Sequence, residues 1–506
     1  MTHLSWRPRG NDLHLDVDFV VVGSGAGGAA AASTLARAGA SVCIVEAGAW
    51  RDPEHYPDDF YGALRDLYDN WQTTVGIGRS LCPIVQARTV GGTTVINAAI
   101  CVRTPRDVVD LWSDQHGFDA EHTWRELQRH QDDLERDLSV QLVDEPNAGR
   151  HNTLAIASAH RRGDHDHVMR RYAKGCEGTG RCILGCRSGA KQSTNLNLVP
   201  EVLTLGGHVL SCAPVRRVML SGRRAVGVSG HFVHPAHRAK GANFEVRARR
   251  AVVMAASATH SPVLLKRSGV RSKALGKRFM AHPGGGVVGI YDDPVDMNHG
   301  VTQGWASTRY REDRHVKLET LSMPLEMMAG RLGGGGAQLI AKLAEYRHMA
   351  HWVVAVRAEA EGTVRPSLLG TPMVRYSLTR RDTERLRWGL KHVAEQHFEA
   401  GATKVMPGIY GAPDVLGPDD LGVLDQVSMD PRRQVVILSH LFGGCVMGTD
   451  ESRSVCDLRG KVHGYEGLVV ADASCIPTTL GVNPQHTIMA LARMHAESLL
   501  EQRGQA

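Results

Sequence analysis

The hydrophobic pattern is clearest at the two ends of the chain. Residues 18–23, DFVVVG, form a short continuous apolar run, the pattern of a parallel strand buried on both faces. GSGAGG follows at 23–28, and the alanines of AAAASTLARAG then predict a helix that packs closely on a sheet, with Gly39 at its C-cap. SVCIVEAG, from Ser41, predicts a second strand ending at Glu46 and completes a β-α-β unit. Residues 50–80 carry no period, whereas 105–145 read as helical and 207–254 as short β runs with turns. SPVLLKRSGV predicts a helix that stops at Gly269.

From about 285 to 435 the pattern is weakest. Ala337 opens a helix behind a run of glycines, and TERLRWGLKHVAEQHFEAGA reads as an amphipathic helix ended by Gly401. Near the C-terminus Val469, Val470 and Ala471 predict a buried strand, and Asn483-Pro484 predicts a helix start with Asn as N-cap and Pro at N1. The fold class expected is α/β. A Rossmann-like nucleotide-binding domain is assembled from residues 15–110, 195–285 and 435–506. It is interrupted by a second domain, 111–194 and 286–434, with a mixed or antiparallel sheet and helices.

Composition changes this picture little. With 506 residues, 42% apolar and 22% charged, the chain can bury a large core in about two or three domains. The net charge of +6 is spread over scattered Lys and Arg, a mildly basic solvated surface with no nucleic-acid partner expected. Residues 1–17 are polar and no run of about 18 apolar residues occurs, so neither an export signal nor a membrane span is expected and the expected location is cytoplasmic. Most of the ten cysteines are then expected to be thiols.

The chemistry starts at Gly23-x-Gly25-x-x-Gly28, which follows a strand and opens a helix. Gly23 permits the tight turn, Gly25 lets a pyrophosphate approach the backbone, and Gly28 allows close helix packing. The helix N-terminus offers free N–H groups to the phosphates, and Glu46 can accept hydrogen bonds from a ribose. ARTVGGTTVINAAICVR, from Ala87, adds a second glycine loop with Thr93, Thr94 and Asn97 as short polar groups.

Four separated segments resemble the glucose–methanol–choline (GMC) oxidoreductases, which are FAD enzymes. They are GSGAGG, VGGTTVIN, ATHSPVLLKRSGV at 258–270 and the tail from His440, in that family's order. The tail, HLFGGCVMG with GVNPQHTIMALA, is most similar to the cholesterol oxidase and long-chain alcohol oxidase branch. The chain departs from the family pattern at Cys101, Arg271 and Leu441. The resemblance implies FAD contacts at Gly23, Gly25, Ala26, Gly28 and Glu46, and at Arg88, Gly91, Gly92, Thr93, Asn97 and Ala98. It implies further contacts at Val215 and at Asp472, Ala473, Asn483 and Pro484. Where some members carry a histidine that binds FAD covalently, this chain has Ile96, so noncovalent FAD is expected.

The resemblance also implies that His440 takes the proton of a substrate hydroxyl while the carbon-bound hydride passes to FAD, and that Asn483 hydrogen-bonds the same oxygen. An imidazole suits that task near neutral pH, although Asn483 would stand there as a helix cap in any case. His486, on the same helix face, either lines the pocket or packs. The expected partner is a small-molecule alcohol, with oxygen or another carrier as electron acceptor. A non-redox hydroxynitrile-lyase-like activity on the same scaffold is the alternative. The apolar residues Leu339, Ile340, Leu343, Met349 and Trp352 either favour a bulky substrate or form core. Cys176, Cys182 and Cys186 could hold an iron–sulfur cluster, enter a disulfide or remain thiols. No metal ligands are assigned, and His165 and His167 are expected on a solvated loop.

Overall fold

The structure is a computed structural model and describes residues 2–164 and 167–501. β1 (Leu13–Val22), α1 (Ala26–Arg37) and β2 (Val42–Val45) form the β-α-β unit expected from the sequence. β1 and β2 pair in parallel, with Val20 opposite Cys43 and Val22 opposite Val45. Phe19, Val20 and Val21 are fully buried, and Ala29 to Ala32 on α1 are buried too. Alanine is required there because α1 is enclosed twice, by this sheet and by the C-terminal helix.

The helical region at 105–145 is α2 (Arg106–His116) and α3 (Ala120–Asp137), and α3 also packs on the C-terminal helix. β3 (His208–Leu210) extends the sheet beside β2. β4 (Val215–Ser221), β5 (Arg224–Val233) and β6 (Lys240–Met254) form an antiparallel meander whose last strand runs parallel to β1. α4 (His260–Arg267) follows, ending just before Gly269.

The weakly patterned region from 285 is the second sheet, built around β7 (Lys277–Ile290). β8 (Val316–Thr320) leads to α5 (Leu325–Arg331), then come β9 (Met349–Val356), β10 (Gly362–Pro366) and β11 (Pro372–Arg375). β9 pairs antiparallel with both β7 and β8. α6 (Arg380–Glu399) lays Leu386, Leu390 and Val393 into the core of this sheet. It begins at Thr379 with a capping box to Asp382. Between α5 and β9, the helix expected from Ala337 spans Gly336–Ala344.

β12 (Ile437–Phe442) pairs antiparallel with β7, placing His440 opposite His282. A bulge at Ser439 follows this pair, because Pro283 then faces Leu438. β13 (Leu468–Val470) returns to the first sheet, parallel to β6. α7 (Gln485–Glu501) closes the molecule. The Pro484 carbonyl accepts its first helical bond, from the Ile488 amide at 2.9 Å. The helix therefore starts one residue later than the sequence suggests, and Asn483 stands outside it. Among the described residues no helix is long and apolar enough to cross a membrane.

Candidate functional site

One cavity of about 560 Å³ runs from the C-terminal ends of β1 and β2, through the space between the sheets, to β7 and β9. Its volume lies within the range of about 300–1,000 Å³ usual for small-molecule sites. At the first end Gly23 turns the chain with φ +103°, and a Cβ there would stand 2.3 Å from the Ala255 oxygen. The two glycine loops meet directly. A Cβ on Gly92, where φ is +53°, would lie 2.8 Å from the Gly25 Cα. Gly25 precedes α1 without a side-chain cap, so the first N–H groups of α1 are left for a ligand.

Glu46 is buried and held by its neighbours. Its Oε2 accepts from the Ser24 amide at 3.0 Å and hydroxyl at 2.7 Å, and Oε1 accepts from the Gly48 amide at 2.8 Å. Oε1 keeps a lone pair for a hydroxyl. Of the residues expected to bind FAD, Gly23, Gly25, Ala26, Glu46, Arg88 and Gly92 line this cavity. So do Thr93, Asn97, Ala98, Val215, Asp472, Ala473, Asn483 and Pro484. Gly28 and Gly91 stand behind the lining. A Cβ on Gly28 would meet the Gly23 oxygen at 2.1 Å, and the Gly91 amide donates to Ser24 Oγ at 3.0 Å.

Asp472 works through the protein backbone. Its Oδ2 accepts from the Ser257 amide at 2.9 Å and from Ser261 Oγ at 2.5 Å, and its Oδ1 from the Ser474 amide at 2.8 Å. Burial raises its pKa from the ordinary aspartate value, against these donors. Arg88 pairs with the buried Asp69 at 2.8 Å. Ile96 lines the cavity where a covalent attachment would need a nucleophilic side chain. An elongated dinucleotide such as FAD fits this donor set: open N–H groups at one end, a free carboxylate lone pair beside them, and a cavity continuous with a polar cluster at the other end.

That cluster combines β7, β8, β12 and the turn before α7. His440 Nε2 lies 3.4 Å from Asn483 Nδ2. Lys317, buried on β8, donates to both Asn483 Oδ1 and Glu319 Oε1. Gln303 Nε2 donates to Glu319 Oε2 at 3.2 Å. Asn483 therefore spends its side chain on Lys317 and His440 and not on a helix cap. On its other side, His440 Nδ1 lies 3.2 Å from His282 Nδ1, and the Gly481 amide donates to His282 Nε2 at 2.9 Å. Burial pushes the His440 pKa down to about 4; Glu319 opposes this and Lys317 adds to it. Burial alone would raise Glu319, but the Lys317 charge and the hydrogen bonds from Lys317 and Gln303 hold it below the usual range. His282, Lys317, Glu319 and Gln303 carry no sequence motif. They become visible only through the register of β7 with β12 and the path of β8.

Other expected residues lie elsewhere. His486 is fully buried with Nδ1 at 2.8 Å from the Tyr172 hydroxyl, so it packs and does not line the cavity. Met349 and Trp352 are core residues of β9, Leu339 and Leu343 pack against a methionine cluster, and Ile340 is exposed. Leu321, Met323 and Met327 supply the apolar lining instead. All ten cysteines are free. Arg171 stands between Cys176 Sγ at 3.5 Å and Cys182 Sγ at 3.0 Å, while Cys186 Sγ accepts from the Lys191 amide at 3.4 Å. His165 lies outside the described residues, as does the side chain of His167.

Comparison with known proteins bears on the family and the fold. The two parts of the GMC oxidoreductase family model match residues 17–284 and 358–492. An uncharacterised GMC-type oxidoreductase of Mycobacterium tuberculosis is 37% identical over 94% of this chain and 74% of its own length. A long-chain-alcohol oxidase of Arabidopsis thaliana is 26% identical over 95% of this chain and 67% of its own. The structure of Aspergillus oryzae formate oxidase superimposes with a TM-score of 0.71 at 17% identity, covering 97% of this chain and 99% of that one.

Proposed function

The chain belongs to the GMC oxidoreductase family, and from that premise we propose that it uses noncovalent FAD to oxidise the CH–OH group of an alcohol to a carbonyl. The observation that carries this reading is the convergence of His440 and Asn483 on the far end of the cavity that begins at the glycine loops. FAD, when bound, supplies the acceptor for the two electrons and hydrogen that leave the carbinol carbon. Residues 15–110, 195–285 and 435–506 hold it, and 111–194 and 286–434 shape the substrate space. The likeness to long-chain-alcohol oxidases supports an alcohol as donor; oxygen or another carrier then takes the electrons.

His440 and Asn483 hold the substrate oxygen between two nitrogens, with Lys317 fixing the amide so that Nδ2 faces the cavity. In the first reading His440 Nε2 takes the hydroxyl proton. With its pKa depressed, the ring is neutral and free to accept at physiological pH.

The hydrogen-bond chain behind His440 supports a second assignment of the proton in the same reaction. Because the Gly481 amide donates to His282 Nε2, a neutral His282 carries its hydrogen on Nδ1. That hydrogen points at His440 Nδ1, so a neutral His440 carries its own on Nε2. His440 Nε2 and Asn483 Nδ2 are then both donors, turned to the substrate oxygen and not to each other, and Glu319, the carboxylate that lines the cavity, receives the proton.

The test is anaerobic mixing of the holoenzyme with a panel of alcohols, followed by flavin bleaching. An active alcohol should bleach the wild type, and His440→Ala should abolish bleaching while FAD stays bound. If no alcohol bleaches the flavin, the oxidation reading fails and the lyase alternative gains. His440→Gln keeps a donor without a base: lost bleaching supports the first proton assignment, and retained bleaching supports the second.

A further inference from the structure

At the substrate end the cavity wall carries a charge, Arg331, that neither FAD binding nor the oxidation step uses. Arg331, the last residue of α5, is half-buried and lines the substrate end. Its Nη2 donates to the Gly286 carbonyl on β7, and among the described residues no carboxylate pairs with it. Burial alone lowers its pKa, to about 10, so it is a cation at neutral pH. The carboxylate in this part of the cavity, Glu319, is already neutralised by Lys317. A second unpartnered group stands beside Arg331. His351 is 3% exposed; its Nδ1 donates to the Leu321 carbonyl at 3.1 Å, and its Nε2 has no partner. That nitrogen sits over Gly286, where a Cβ would come within 2.3 Å of it.

A guanidinium partly withdrawn from water and lacking a counter-charge gains from a bound anion. Arg331 and His351 flank one residue, Gly286, on the wall of one cavity. A carboxylate answers the guanidinium, because it matches its fork. Leu321, Met323 and Met327 make the neighbouring wall apolar. Gly286 lies four residues along β7 from His282, the cross-strand partner of His440. That is roughly 13 Å at the usual strand rise, the reach of a medium-length extended alkyl chain.

We propose that Arg331 binds the anionic end of the substrate, so that the alcohol oxidised is an extended ω-hydroxy carboxylate. The proposal rests on the placing of the carbinol at His440 and Asn483.

The experiment compares ω-hydroxydecanoate with decanol on the holoenzyme, and uses decanoate as a ligand without a carbinol. The wild type should prefer the hydroxy acid in kcat/KM by about 100-fold, the scale for removing one partner of a desolvated charge pair, and Arg331→Met should abolish that preference. Arg331→Lys, which keeps the charge but not the fork, should fall between. Decanoate should perturb the flavin spectrum of the wild type at concentrations that leave Arg331→Met unchanged. Equal loss on both alcohols, or equal decanoate binding by wild type and Arg331→Met, would overturn the proposal. If neither alcohol reduces the flavin, the oxidation reading fails, and the decanoate titration still decides whether Arg331 binds an anion.

Discussion

At the scale of single residues, the site is set by how little water reaches it. His440 carries a pKa of about 4 because burial disfavours the charged ring. A reaction that needs the neutral ring is supported above that value and lost as the pH falls through it. The acid limb of kcat/KM should therefore lie near pH 4 and not near about 6.5, the ordinary value for histidine; a limb above pH 6 in the holoenzyme would contradict this. Lys191 makes a second residue-scale prediction. Its buried ammonium donates to the carbonyls of Cys182 at 2.7 Å, Asn97 at 2.9 Å and Val95, tying the cysteine loop to the flavin-facing segment. Lys191→Met should cost about 2 kcal/mol or more for the stranded carbonyls and lower FAD retention on dialysis. Full FAD content with unchanged denaturant stability would refute it.

At the scale of elements, the sequence was legible where a pattern repeats and silent where contacts replace pattern. β1, α1 and β2 follow from apolar run, alanines and glycine spacing, and α6 from its amphipathic stripe. β7 did not, because KRFMAHPGGGVVGI offers no alternation. Its glycines are there for the side chains that press on the strand, His351 at Gly286 and His397 at Gly289. The same limit governs the site. His440 and Asn483 were found through resemblance, and Lys317, Glu319, His282 and Arg331 only once neighbouring strands were in register. Two element-scale tests follow. Gly92→Ala should displace the second glycine loop from Gly25 and yield folded protein with reduced FAD content, seen as a lower flavin-to-protein absorbance ratio. Thr379→Ala should remove the capping box of α6 and lower stability by about 1 kcal/mol, with no change in alcohol-dependent flavin reduction.

At the scale of the whole molecule, neither sheet is built from one continuous stretch. The first draws strands from residues 2–4, 13–22, 42–45, 208–254 and 468–470, and the second from 75–83, 167–168, 277–375, 404–406 and 437–442. Each crossing of the chain ties one sheet to the other, so FAD release and loss of secondary structure should coincide in urea, followed by flavin fluorescence and far-UV circular dichroism. Two separated transitions would show that the sheets unfold independently. β7 gives this architecture a further meaning. Side chains and carbonyls repeat along a strand every second residue, about 6.6 Å apart. A strand that fixes the reacting end of a molecule at His282 and its far end at Gly286 is a ruler with coarse graduations. An enzyme that moved its arginine to the next equivalent carbonyl would change the chain length it accepts in one jump of several carbons, with no intermediate setting to pass through.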